Sequence, residues 1–165
     1  MNIPTKGVRV FDCRCTMGHG ITIGSEMSGG VEDVKIWDCD MEAALCGFEI
    51  KGTAKRGVYV KEIHGYDSVF PRVLMHSVGY KDDGIAGPDQ PYFSDCTFDN
   101  LRLTGIYQDH EAKWHECDAI ELCGFDKIGH EIKHVKFSNI RFGKEKSDTA
   151  GHISIKRCED VSLNF

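Results

Sequence analysis

Val8-Arg-Val-Phe-Asp-Cys13 and Val34-Lys-Ile-Trp-Asp-Cys39 show the same alternation of apolar and polar residues, closed by the same Asp-Cys pair, 26 positions apart. Val58-Tyr-Val-Lys-Glu-Ile63, Val135-Lys-Phe-Ser-Asn-Ile140 and Val161-Ser-Leu-Asn-Phe165 share the shape, and Val135 to Val161 is again 26 positions. A recurrence of that length marks a solenoid or array. A second set lies between them: Gly20-Ile-Thr-Ile-Gly24, Gly47-Phe-Glu-Ile-Lys51, Asp118-Ala-Ile-Glu-Leu122 and His152-Ile-Ser-Ile-Lys156. Period-two alternation turns one face to a core and the other to water, so each segment reads as a strand. Two strands per repeat make a coil, and stacked coils let each strand pair with its counterpart one repeat later while like side chains form interior ladders. No helical periodicity competes, and the 18 glycines fall at turns rather than in a linker. Two stretches break the rhythm, Asp67 to Tyr92 with Pro71, Pro88 and Pro91, and the polar Gly105 to His115. Both are expected to be loops that project from one side and shape a groove.

Composition narrows the function classes. The 165 residues, 41% hydrophobic and 28% charged, suffice for one domain with its own core, so 1–165 is read as a single domain. A formal net charge of -6 argues against nucleic acid and anionic membrane surfaces as partners, because both require a basic face. No apolar run approaches the roughly 18 residues of a bilayer span, and Met1 to Gly7 lacks the apolar region of a signal peptide. Eight cysteines occur without a CxxC pair. They are expected to be reduced, buried and to act as small hydrophobes, with Cys13 and Cys39 stacking in one ladder. That usage leans toward a cytoplasmic, reducing compartment and leaves localisation otherwise open. Of the eight histidines only His130 and His134 have a ligand-like spacing, and it would matter only on a helix. No metal and no cofactor is expected.

Gly18-His19-Gly20-Ile21-Thr22-Ile23-Gly24-Ser25 is followed by Glu26-Met-Ser-Gly-Gly30 and then by a VxxVxIxDC strand. This order resembles the region after the catalytic aspartates of family 28 glycoside hydrolases, the polygalacturonases. Gly47-Phe-Glu-Ile-Lys-Gly52 falls where that family has its RIK motif, and Lys55-Arg56-Gly57-Val58 resembles the basic turn after it. The motifs cover roughly Val8 to Ile63, and the rest of the chain matches as repeat pattern. The resemblance implies a right-handed parallel β-helix, in agreement with the solenoid reading. It also implies inverting hydrolysis of α-1,4-galacturonosyl linkages in pectin or oligogalacturonides, with one aspartic acid protonating the leaving oxygen while other carboxylates activate water.

The family carries those aspartates in NTD and DD motifs upstream of GHG. Here 17 residues precede Gly18, and their one aspartate, Asp12, lies in neither motif. The chain is therefore expected to be a C-terminal portion, truncated at the N-terminal side, and inactive alone. Asp82-Asp83 is not a substitute, since it follows GHG and reads as an exposed turn. By the resemblance, His19 lies beside the catalytic carboxylates, and Lys51 pairs with a galacturonate carboxylate. Arg56 is a second cation on that rim and Tyr80 a sugar-stacking residue. Glu49 stands where the motif has arginine, which puts the identity of the uronide in question. A non-catalytic β-helix that binds acidic glycans through Lys51 and Arg56 is the alternative. An uncapped first coil also implies self-association through its exposed strand edge.

Overall fold

The computed structural model describes residues 3–54, 57–77, 91–143 and 152–165. Their strands are β1 (Thr5–Phe11), β2 (Gly20–Ile23), β3 (Val31–Trp37), β4 (Gly47–Gly52), β5 (Tyr59–Phe70), β6 (Arg72–Ser77) and β7 (Tyr92–Leu103). After them come β8 (Ile106–Gln108), β9 (Trp114–Glu116), β10 (Ile120–Cys123), β11 (Ile132–Ser138), β12 (Arg141–Phe142), β13 (Ile153–Lys156) and β14 (Cys158–Asn164). No α-helix occurs among the described residues, and no helix is long and apolar enough to cross a membrane.

Two parallel sheets wind together as a β-helix. Sheet A runs β1-β3-β5-β7-β11-β14, and sheet B runs β13-β10-β6-β4-β2. Thr5 pairs with Val31 and Ile132 with Cys158, so the 26-residue repeat read from the sequence is one coil at either end of the stack. The coils between are longer, since Tyr59 pairs with Tyr92 and Ser94 with Lys133. Inside, Val8, Val34, Ile63, Cys96, Val135 and Val161 form one ladder, and Val10, Ile36, Gly65, Phe98, Phe137 and Leu163 the next. Sheet B faces them with Ile21, Phe48, Val73, Ile120 and Ile153. Phe48, Phe98, Phe137, Ile36, Ile50, Ile63 and Met75 are fully buried. Each such side chain contributes on the order of 2 kcal/mol by leaving water, which is what holds coil on coil.

A column of left-handed backbone explains the Asp-Cys signature. Asp12, Asp38, Asp67, Asn100 and Asn139 all have φ between 48° and 54° and stand one coil apart, just beyond the paired rung Phe11, Trp37, Tyr66, Asp99 and Ser138. Aspartate and asparagine tolerate this region better than other residues with a Cβ. The corner they make turns each coil from sheet A onto a short third face. There Ser68 to Phe70 pair with Leu101 to Leu103, and Arg141 and Phe142 add a further strand. A second column, Gly7, Asp33, Glu62, Asp95, His134 and Asp160, is also left-handed and interrupts every strand of sheet A at the same level.

Two expectations require correction. Asp67 to Tyr92 is not a loop throughout, because Asp67 to Phe70 complete β5 and Arg72 to Ser77 form β6 at the centre of sheet B. Leu74 points away from the core yet is 4% exposed, so Val73-Leu74-Met75 lacks the alternation of a half-buried strand. Nor are the cysteines uniformly buried. All eight are free thiols, but only Cys39, Cys46 and Cys96 are buried, and Cys13 is exposed on the first coil. Gly105 to His115 does project, as the antiparallel hairpin β8-β9.

Candidate functional site

The outer face of sheet B gathers the residues singled out from the sequence. Thr22, Glu49, Leu74, Glu121 and Ser154 make one outward rung, and Lys51, His76, Cys123 and Lys156 the next. Neighbouring strands lie about 4.8 Å apart, so side chains on adjacent strands of a rung are in reach of one another. His19 enters from the turn ahead of β2. Its carbonyl accepts from the backbone N–H groups of Cys46 and Gly47, and Gly18 accepts from Leu45, which ties the turn to the start of β4. The close approach requires glycine at position 20. There φ is +88°, and a Cβ would lie 2.5 Å from the Gly47 carbonyl oxygen. Gly24 is under the same constraint against the Lys51 carbonyl, at 1.8 Å.

Glu49 is the hub. It is 4% exposed, and four side chains converge on its carboxylate. His76 Nε2 lies 2.9 Å from Oε1, and Thr22 donates its hydroxyl to Oε2 at 3.2 Å. His19 Nδ1 and Lys51 Nζ stand 3.6 and 3.9 Å from the same Oε2. Burial pushes the carboxyl up. The His76 hydrogen bond, the Lys51 ammonium and the Thr22 hydroxyl more than offset it and hold Glu49 below the usual carboxylate range. Glu49 is thus an anion that fixes one ammonium and orients two imidazoles. The Lys51 side chain keeps 18% of its surface and that of His19 57%, so both still reach solvent from the outer face of sheet B.

Arg72 flanks the cluster, in register with Gly47. Its guanidinium donates to Glu121 Oε2 at 3.3 Å and to Cys46 Sγ at 3.6 Å, and lies 5.4 Å from the Tyr107 ring centroid. Tyr107 in turn stacks on His115, which pairs with Asp109 at 2.7 Å, so the β8-β9 hairpin is anchored against sheet B. His19, Cys46 and Glu49 offer ligand atoms within 4.8 Å of one another. The set suits a metal poorly, because Lys51 already pairs with the carboxylate and Arg72 with the sulfur, and burial pushes the Cys46 thiol up, away from the thiolate a metal binds.

The structure therefore brings His19 and Lys51 onto one wall, joined through Glu49. Arg56 and Tyr80, like Asp82 and Asp83, lie outside the described residues. Sequence reasoning missed His76 and Arg72. Their signal was the alternation Arg72, Leu74, His76, which becomes visible only once β6 is placed in register with Gly47, Glu49 and Lys51.

Residues 2–80, which contain His19, Glu49, Lys51, Arg72 and His76, match glycosyl hydrolases family 28. Over 64 residues the chain is 39% identical to a protein of Vitis vinifera described as "Probable polygalacturonase", a stretch that makes up 38% of this chain. The match spans 13% of that relative's length. Over residues 2–80 the chain is therefore polygalacturonase-like, in its resemblance to glycosyl hydrolases family 28.

Proposed function

We propose that this chain forms one wall of the substrate cleft of a glycosidase that hydrolyses α-1,4-galacturonosyl linkages in pectin or oligogalacturonides with inversion. The convergence of His19, Lys51 and His76 on Glu49 is the observation that carries the reading. In it Lys51, a compact cation with three donors, takes a sugar carboxylate as its second partner while Glu49 holds the ammonium in place. His19 faces Glu49 through Nδ1, which leaves Nε2 to hydrogen-bond a sugar hydroxyl or the carboxylates that do the chemistry. Inverting hydrolysis needs one carboxylic acid at the leaving oxygen and one carboxylate at a water on the opposite face of the ring. Glu49, ionised and already bonded on both oxygens, suits neither role. The 165 residues contain no NTD sequence. In this reading the chain binds and orients, and the family's aspartates supply the proton transfers.

A reducing-sugar assay on polygalacturonate, run beside a binding titration with trigalacturonate, tests this. The purified 165-residue chain is expected to bind the oligomer, more weakly as salt is raised and after Lys51→Ala, and to release no reducing ends. Binding without hydrolysis is also what the acidic-glycan module would give. The two part when a chain that includes NTD and DD motifs ahead of residue 1 is assayed: hydrolysis supports the enzyme and its absence supports the module. Appreciable release by the 165 residues alone overturns the assignment of roles.

A further inference from the structure

Sheet A carries a second feature on its outer face, away from the Glu49 cluster. Phe11 stacks on Trp37 with centroids 4.8 Å apart and planes 11° from parallel, and Trp37 stacks on Tyr66 at 5.7 Å and 3°. These three rings occupy one rung position in consecutive coils, and the next position in that register is Asp99. The ladder therefore stops. Tyr66 has Trp37 on one face and, among the described residues, no ring on the other.

An open depression of about 360 Å³ lies at that point, lined by Lys35, His64, Tyr66, Asp67, Thr97 and Asp99 together with the backbone of Gly65. Its size is at the low end of pockets that hold small ligands. The polar groups are held in place by their neighbours. Ser138 and Asn139 both donate to Asp99 Oδ1, at 2.7 and 2.8 Å, which leaves Oδ2 outside that pair of bonds and able to accept from a ligand. His64 Nδ1 and Thr97 Oγ1 are 2.6 Å apart, which leaves Nε2. Asn100 donates to Asp67 at 2.6 Å.

We infer that this pocket is a binding site for a neutral pyranose residue, which stacks on the open face of Tyr66 as the missing fourth rung of the ladder. A sugar ring presents C–H groups to an aromatic face and hydroxyls around its rim, and here the rim meets a carboxylate, a hydroxyl and an imidazole. A hydrocarbon or phenyl ring would leave those groups without partners. Among the lining residues a uronate would meet two carboxylates, Asp67 and Asp99, and one ammonium, Lys35; Lys136 on the next coil already acts on Asp99, so the lining favours an uncharged sugar. The site would give the protein a hold on neutral glycan that is independent of the Glu49 cluster on sheet B.

Saturation-transfer NMR on the full chain with methyl β-D-galactopyranoside, and separately with sodium galacturonate, tests the inference. The neutral glycoside is expected to receive saturation at its ring C–H protons at millimolar concentration. Its affinity should fall about tenfold or more with Tyr66→Ala and be unchanged by Lys51→Ala. Should Tyr66→Ala fail to fold, Asp99→Phe serves instead, because a phenyl ring at that register position fills the pocket and extends the stack. It should abolish binding, and a cooperative thermal transition shows that the variant has folded even though the Ser138 and Asn139 hydrogen bonds to Asp99 are lost. Galacturonate should bind this site more weakly than the neutral probe. Absence of saturation transfer, binding that survives Asp99→Phe, or loss of the neutral probe's binding on Lys51→Ala would each overturn the inference.

Discussion

Removing the Glu49 side chain tests whether the cluster on sheet B is one coupled unit. Glu49→Ala deletes an anion whose side chain is 6% exposed and strands Lys51, at 18%, without its counter-charge and His76, at 26%, without its hydrogen-bond partner. Breaking a buried ion pair costs about 3–5 kcal/mol when both partners are dry, and the partial access of Lys51 places this case near the lower end, about 3 kcal/mol. Glu49→Gln keeps the shape and one acceptor but loses the charge, for a cost of about 1.5–3 kcal/mol. Because the folded carboxyl titrates below its ordinary value, the stability it adds is complete above the unfolded carboxylate pKa and is lost as pH falls through the folded one. The gap between wild type and Glu49→Gln should therefore be full near neutrality and close in acid. Urea denaturation of wild type and both variants across that range measures it. A neutral-pH loss for Glu49→Ala within about 0.5 kcal/mol of zero would place Glu49 among ordinary surface groups and refute the coupling.

Burial pushes the Cys96 thiol up to about 12, so in native protein it should resist iodoacetamide while Cys13, exposed on the first coil, reacts. Peptide mass spectrometry before and after denaturation checks the order, and early labelling of Cys96 would contradict the stacked core. Asp109, which accepts from the backbone N–H of Lys113 and pairs with His115, is held down to about 2. Its carboxyl should stay ionised in folded protein well below pH 4, its contribution to the hairpin being lost only as pH falls through about 2. A carboxyl carbon NMR titration with an ordinary midpoint would count against the turn. Phe98 stacks on Phe137 and meets Phe48 edge-on while fully buried, so Phe98→Ala should cost about 3–5 kcal/mol by thermal or urea unfolding. The 165-residue chain studied alone should self-associate through β1, where Val8 and Val10 are only partly covered, and a clean monomer by light scattering at high concentration would argue against it.

The sequence made the architecture legible wherever alternation was undisturbed. β2, β4, β10 and β13 each carry outward polar residues between inward apolar ones, and the 26-residue spacing is the actual coil at both ends of the stack. β7 was harder to see, because the left-handed residues Asp95 and Asn100 each insert a step that throws the apolar phase out by one. β6 was hidden by Leu74, an outward residue covered by its surroundings. At the site, His19 and Lys51 were readable from their motifs, and Glu49 stood out as the acidic residue in place of an arginine. That Glu49 would draw His76 from the next coil was not readable, since the contact depends on a register between β4 and β6 that no local pattern encodes.

A backbone amide NMR titration of the chain with trigalacturonate tests most directly whether the coil stack has built a sugar-binding wall around Glu49. Shifts are expected to cluster at the GHG turn, at Lys51 and at His76, and to vanish with Lys51→Ala. Shifts confined to sheet A, or none at millimolar ligand, would contradict the account.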